Sequence, residues 1–429
     1  MTTMSTPGAQ WDPTVTTHAV VPFLALHGGA PVRRRPWPTY DTGDTFVSEA
    51  DEDAAVAAIR RRHYFRYDHR PHQETHTGAF EHRLAEYFGC RYALACASGT
   101  TAIALSLLAL DLPPGSRVAC PAFTFAATPS AILLAGHRPV LVESDPDLHL
   151  DVSHLRQVLA AGARAVVVVH MRGFASDMPA ICAAAREAGV PVVEDAVPAL
   201  GVKLGPRHVG TFGDFGAFST QSDKSLNTGE GGFLLCDDTQ AYARAVVLCG
   251  AYEGRFTRHF DDPPAFDDFS LPIFGFRMDE IRAALAGAML TRLPERLALH
   301  QRNYDRVAAG LTGLDRIALR QPVAPGGYLG EALVFRIPGG SVAQAAWVAK
   351  ALRAEGFPAR ALADPGDPNV RAFWNWRFLV GDDPAVAKAA FPATARYVAE
   401  AIDVPLSANL MLEDCDELVA GIRKVVDAL

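Results

Sequence analysis

From Tyr92 onward the chain alternates short apolar runs with stretches in which apolar residues recur every three or four positions. Runs at Tyr92–Ala97, Arg117–Cys120, Pro139–Glu143, Ala165–His170 and Val190–Asp195 have the length of strands. Helical spacing fills the gaps near 100–110, 125–135, 153–160 and 177–188. Repeated units of this kind predict a largely parallel sheet covered by helices on both faces. Phe215–Gln221 and Gly232–Cys236 add two strands, and helices resume near 238–249 and 278–309. Upstream, Ala54, Ala55, Val56, Ala58 and Ile59 fall at helical spacing, a loop rich in His, Tyr and Arg runs from His63 to His76, and a helix follows near 78–88. Beyond about residue 325 the pattern changes to a strand (Ala332–Ile337), a helix (342–354), a short strand, and helices near 391–402 and 411–428. The expected organisation is a tail and extended arm (1–40), a large α/β domain (41–310) and a small α+β domain (311–429).

Composition narrows the class. A chain with 49% hydrophobic and 21% charged residues has the balance of a soluble globular protein. Net charge is −8, and Arg33–Arg35 and Arg60–Arg62 are its longest basic runs, which argues against nucleic acid or an anionic membrane as partner. Seven cysteines form no C-x-x-C pair and sit mostly in apolar runs, so they read as reduced core residues of a cytoplasmic protein. Met1 to about Gln10 is polar and lacks a basic-then-apolar pattern, so export is not expected, and no apolar run approaches the ~18 residues of a membrane span.

In open α/β sheets a ligand lies beyond the carboxyl ends of the strands. Four polar clusters fall there: Ser98–Thr101, Phe123–Thr128, Glu194–Asp195 and Ser219–Lys224. Ser98-Gly99-Thr100-Thr101 between a strand and a helix suits an anion cradle, and equally an ordinary N-cap. Asp195 closes an apolar strand, where an acid can cap a helix, ligate a metal or pair with a cationic heterocycle. No His/Cys/Asp group lies nearby at ligand spacing, so no metal is expected. Lys224, after a buried strand and before Gly229-Glu230-Gly231-Gly232, is poorly explained by surface solvation and suits condensation with a carbonyl. Together these pieces match the needs of pyridoxal 5′-phosphate: a lysine for the aldehyde, an acid for the pyridine nitrogen, amides and hydroxyls for the phosphate, and a ring such as Phe125 for one face. Core packing is the plainer role for Phe125.

The order of motifs is more specific. Ser-Gly-Thr, Pro-Ala-Phe-Thr-Phe-Ala-Ala-Thr, Glu-Asp-Ala, Gly-Asp-Phe-Gly-Ala-Phe-Ser, then Lys and Gly-Glu-Gly-Gly resembles the DegT-type sugar and cyclitol aminotransferases, from about Leu24 to Leu429. The resemblance implies a fold-type I architecture like that of aspartate aminotransferase, with a mixed, mainly parallel sheet and a smaller C-terminal α+β domain. It implies Lys224 as Schiff-base lysine, Asp195 as pyridinium partner, Phe125 stacked on the ring, and Gly99, Thr100 and Ser219 on the phosphate. His170 matches a strand-end histidine near the site, with a structural role as its alternative. Arg172, Arg277 and the polar residues of the 63–76 loop, Arg66, His69 and Arg70 among them, are candidate substrate contacts. A homodimer with shared sites is also implied.

Two positions depart from the family pattern. Pro198 stands where His or Gln usually contacts the cofactor, and Gly275 replaces an asparagine that reaches the partner's cofactor phosphate. Lys224 argues against the branch that removes a sugar hydroxyl, which carries histidine there. The expected reaction is amino transfer from glutamate or glutamine to a keto-sugar or keto-cyclitol. Other carbanion chemistry on the same cofactor, and a non-catalytic regulatory protein, are the alternatives.

Overall fold

A computed structural model describes residues 23–38 and 46–429. Within the large sheet the strands are β1 (Tyr92–Cys96), β2 (Arg117–Pro121), β3 (Arg138–Val142), β4 (Ala165–Val169), β5 (Val192–Asp195), β8 (Phe215–Ser219) and β9 (Gly232–Cys236). Between β5 and β8 a two-stranded ribbon, β6 (Lys203–Leu204) and β7 (Arg207–His208), stands apart. The order is β1-β9-β8-β5-β4-β2-β3. Neighbours pair in parallel except for β9, which lies antiparallel to both β1 and β8. Every residue of β4, β5, β8 and β9 is buried, as expected of strands covered on both faces, and this is why they read as apolar runs, with polar residues only at the carboxyl ends of β5 and β8.

A second sheet holds β10 (Ala318–Leu319), β11 (Ala332–Arg336), β12 (Arg360–Ala361) and β13 (Ala401–Pro405) in the antiparallel order β10-β11-β13-β12. Here the sequence reading needs correction. The helix expected over 391–402 ends at Ala399, and Ala401–Pro405 forms an inner strand paired on both sides. Ile402 and Val404 belong to the apolar cluster of this sheet, so tertiary pairing overrides the helical spacing that runs into them. The run over 278–309 is two helices, Glu280–Leu290 and Leu293–Gly310, the second opening on Pro294 in its first turn.

Of the expected tail, residues 1–22 and 39–40 lie outside the described residues, as do 41–45 at the start of the expected large domain. The rest is a docked segment. Arg33 is buried and ion-paired with Asp414 at 2.8 Å, and the Ala25 and Val32 amides donate to Glu355 at 2.8 and 3.0 Å. Leu24 joins the core of the second sheet. All seven cysteines are free thiols, five of them buried. Among the described residues no helix is long and apolar enough to cross a membrane.

Candidate active site

The carboxyl ends of β1, β2, β4, β5 and β8 meet at a cavity of about 330 Å³. One wall is the start of the helix Gly99–Ala109. Ser98 caps it: its hydroxyl accepts from the Thr101 amide at 3.1 Å while its own amide donates to Thr101 Oγ1 at 2.9 Å. That closed box leaves the Gly99 and Thr100 amides without an intrahelical partner, facing a lined cavity at the positive end of the helix. The cap and the anion cradle are thus compatible. Gly99 is dictated by close approach: a Cβ there would stand 2.9 Å from both Ser219 Cβ and Val197 Cγ2. Gly232 is equally constrained, since its Cβ would fall 2.7 Å from the Gly99 amide nitrogen.

Asp195 ends β5 and is buried. Its Oδ2 accepts from Thr128 Oγ1 at 2.8 Å, and Thr128 in turn shares a hydrogen bond with Thr124 at 2.8 Å. Burial lifts the Asp195 carboxyl above its ordinary range, against the pull of Thr128, the Val197 amide, His170 and Lys224. Lys224 lies in the turn after β8, its amide donating to the Gln221 carbonyl at 2.8 Å. Lys224 is half-buried on the cavity wall, and its ammonium has no hydrogen-bond or ion-pair partner among the described residues. Ser219 lines the same wall, accepting from the Gln221 amide at 3.2 Å. Phe125 sits at the mouth, 49% exposed, which excludes simple core packing for this chain.

Gly99, Thr100, Phe125, Arg172, Asp195, Ser219 and Lys224 therefore line one cavity. Other expected contacts lie elsewhere. His170 is buried with both ring nitrogens committed: Nδ1 accepts from the Ser176 amide at 3.0 Å, so Nε2 carries the proton and donates to Glu194 at 3.0 Å. Glu194 also accepts from the Gly210 and Gly213 amides, a structural pin beneath the site. Arg277 donates to the Gly250 carbonyl at 3.0 Å and lies over Phe65, outside the cavity lining. In the 63–76 loop Arg66 pairs with Glu81, and Arg70 with Asp68 and Glu280, away from the cavity. Arg172 does line it, held at φ 53° with Nη2 2.8 Å from Asp403 and Nη1 3.6 Å from Glu331. It thereby ties the large sheet to the small one.

The sequence reading missed Thr128 as the partner of Asp195, and missed Glu331, next to the strand Ala332–Arg336, and Arg371, in the connection after Arg360–Ala361, both of which line the cavity. Thr128 was detectable as a hydroxyl one helical turn beyond Thr124; the other two carry no local signal. Pro198 lines the cavity, whereas Gly275 is exposed and away from it.

Comparison with known proteins agrees with this geometry. The model of the DegT/DnrJ/EryC1/StrS aminotransferase family matches residues 67–423. The chain is 30% identical over 349 residues to a GDP-perosamine synthase of Caulobacter vibrioides, covering 81% of this chain and 89% of that one. It is 31% identical over 289 residues to an L-glutamine:2-deoxy-scyllo-inosose aminotransferase of Streptoalloteichus tenebrarius, covering 66% of each. Among solved structures, 3-amino-5-hydroxybenzoic acid synthase superposes with a TM-score of 0.76 at 24% identity, over 93% of this chain and 99% of that one. A Streptococcus pneumoniae protein solved in its PLP form gives 0.77 at 21% identity, over 92% and 100%. These likenesses establish a shared fold.

Proposed function

The chain belongs to the DegT/DnrJ/EryC1/StrS aminotransferase family, and from that premise we propose that it moves an amino group from glutamate or glutamine to a keto-sugar or keto-cyclitol with pyridoxal 5′-phosphate. The observation that carries this reading is the meeting of Lys224, Asp195, Phe125 and the Gly99–Thr100 cradle in one cavity. The residues fit the group. A buried carboxylate lifted by desolvation lacks a cation, and a protonated ring nitrogen supplies one. A helix start whose first amides are free of intrahelical bonds suits a phosphate, and Phe125 presents a flat face to a planar ring.

When bound, the group supplies an electron-accepting ring for the carbon that loses or gains the amine. The chain's own residues do the rest. Asp195, buried and oriented by Thr128, stabilises positive charge at the floor of the cavity. Lys224 Nζ serves as the covalent anchor and then moves a proton as general base and acid, a role open to an amine with no competing ion pair. Gly99, Thr100 and Ser219 hold the phosphate. Arg172, braced by Asp403 and Glu331, positions substrate at the junction with the second sheet.

A homodimer belongs to the same proposal. Gly275 is exposed on a segment that also exposes Phe269 (84%) and Ile273 (50%), an apolar edge that a second copy would cover. The decisive experiment is borohydride reduction of the cofactor-loaded protein followed by peptide mapping, made tractable by only five lysines in the chain. The cofactor mass is expected on Lys224, and Lys224→Ala is expected to lose it together with amino exchange. An adduct on any other lysine would overturn the assignment.

A further inference from the structure

A second cleft, about 690 Å³, lies at the opposite end of β1 and takes no part in the proposed reaction. Three of its lining residues, His72, Glu81 and His259, point side chains at one spot, with one ligand-type atom from each lying within 4.8 Å of the others. The Glu81 carboxylate is oriented there. Its Oε1 accepts from Arg66 at 2.6 Å and from the Ala95 amide at 2.7 Å, which leaves Oε2 facing the imidazoles. His72 Nε2 is 3.0 Å and His259 Nδ1 3.7 Å from that oxygen. A tetrahedral zinc with N and O ligands at about 2.0–2.2 Å sets ligand atoms about 3.3 Å apart, between the two observed spacings. The His72 side chain is 10% exposed, and its Nδ1 is buried without a hydrogen-bond partner.

We propose that His72, Glu81 and His259 form a binding site for one divalent transition-metal ion of the zinc class, with the fourth coordination position open to the adjoining cleft. His259 has support behind it: Tyr67 OH lies 3.0 Å from Nε2, and a proton moved to Nε2 finds that oxygen as acceptor. Tyr242, 3.1 Å from Nδ1, keeps its bond to the Ala93 carbonyl when the metal takes that nitrogen. The ion would clasp three separate segments: the loop before the helix His76–Phe88, that helix, and the turn Arg255–His259. The chain after that turn leads to Phe276, whose carbonyl accepts from the Ala97 amide at 2.7 Å, next to the Ser98–Thr100 cradle.

The test uses the full-length, cofactor-loaded protein freed of metal by chelator and titrated with zinc alone against a chromophoric competitor. Cobalt(II) then replaces zinc so that its visible spectrum reports coordination number. One ion per chain, a four-coordinate cobalt spectrum and a rise in melting temperature on zinc addition are expected. His72→Gln is expected to weaken binding at least about 100-fold, beyond the usual loss for a mere supporting group, with circular dichroism and cofactor absorbance unchanged. His259→Gln is expected to match it. The triple variant His63→Gln, His69→Gln, His82→Gln, which removes the exposed imidazoles of the same stretch, is expected to bind as the unaltered protein does. Absence of stoichiometric binding, unaltered affinity in His72→Gln, or loss of binding in the triple variant would each overturn the proposal.

Discussion

Asp195 and Glu81 are both buried carboxylates in the large sheet's surroundings, yet their environments push them in opposite directions. Glu81 accepts from a guanidinium, an amide and an imidazole, and its charge is answered within the chain. Asp195 accepts from one hydroxyl and, at 3.3 Å, one amide, with no guanidinium against it. Burial is the same cost for both; only the partners differ. An acid that the chain itself pairs also serves the framework, and one left short of positive charge marks where a cationic group is to come.

The sharpest way to test that contrast is to neutralise each acid in turn. Glu81→Gln leaves Arg66, 1% exposed, without its counter-charge, and removing one member of a buried pair costs about 3–5 kcal/mol. A large fall in the urea midpoint is expected, and a midpoint within error of the parent would contradict the pairing. Asp195→Asn should do the reverse. Stability of the cofactor-free protein holds or rises, since a carboxylate lifted by burial is a burden on the fold. Amino transfer, measured as glutamate-dependent turnover, should drop on the order of 100- to 1000-fold, the usual loss when a preorganised electrostatic partner is removed.

pH separates the two acids as well. Glu81 lies below its ordinary pKa in the fold, so its contribution is complete above that ordinary value and is lost as pH falls through the folded one. His149 and His300 add to the acid side. Burial, with Arg320 beside one and Arg296 beside the other, brings both to about 3, so the unfolded chain takes up their protons first as pH drops below about 6.5. Each such imbalance gives a slope of about 1.4 kcal/mol per pH unit. Asp195 works in the other sense: its folded pKa is raised, so acid relieves it. Cofactor-free protein should lose stability steadily from pH 6.5 to 4, and Asp195→Asn should lose it more steeply. A decline of equal slope in both proteins would remove Asp195 from this account.

The two regions also differ in how far a sequence displays them. The cavity at the strand ends was legible because its parts follow strands: a glycine and hydroxyls after β1, an acid ending β5, a lysine after β8, each beside an apolar run that marks the strand's carboxyl end. Topology then does the gathering, and topology is what periodicity predicts. Glu331 and Arg371 were hidden because they reach the cavity from connections far along the chain, Glu331 just before the strand Ala332–Arg336 and Arg371 beside the bridge that Ala372 makes to Phe123. His170 misled for a related reason: a strand-end histidine has the right address, but Glu194 and the Ser176 amide occupy both its nitrogens. The cluster at Glu81 was invisible, since His259 lies 178 positions away and no ligand spacing connects them.

The smallest expected effect tests the contrast at its finest. Thr128 is fully buried and spends its one hydroxyl proton on Asp195, at 2.8 Å, while it accepts from Thr124. Thr128→Val keeps the volume and removes that donor, leaving Asp195 with the Val197 amide alone among its recorded donors. A hydrogen bond to a charged group contributes roughly 1.5–3 kcal/mol, equivalent to about one to two pKa units. Asp195 should therefore climb further, and the acid limb of the turnover profile should move toward neutral pH with about a ten-fold loss at the optimum. Thr128→Ser restores the hydroxyl and should restore both. If the valine variant keeps the parent pH profile, the hydroxyl is not what tunes the acid, and the contrast between Asp195 and Glu81 rests on the guanidinium, amide and imidazole around Glu81.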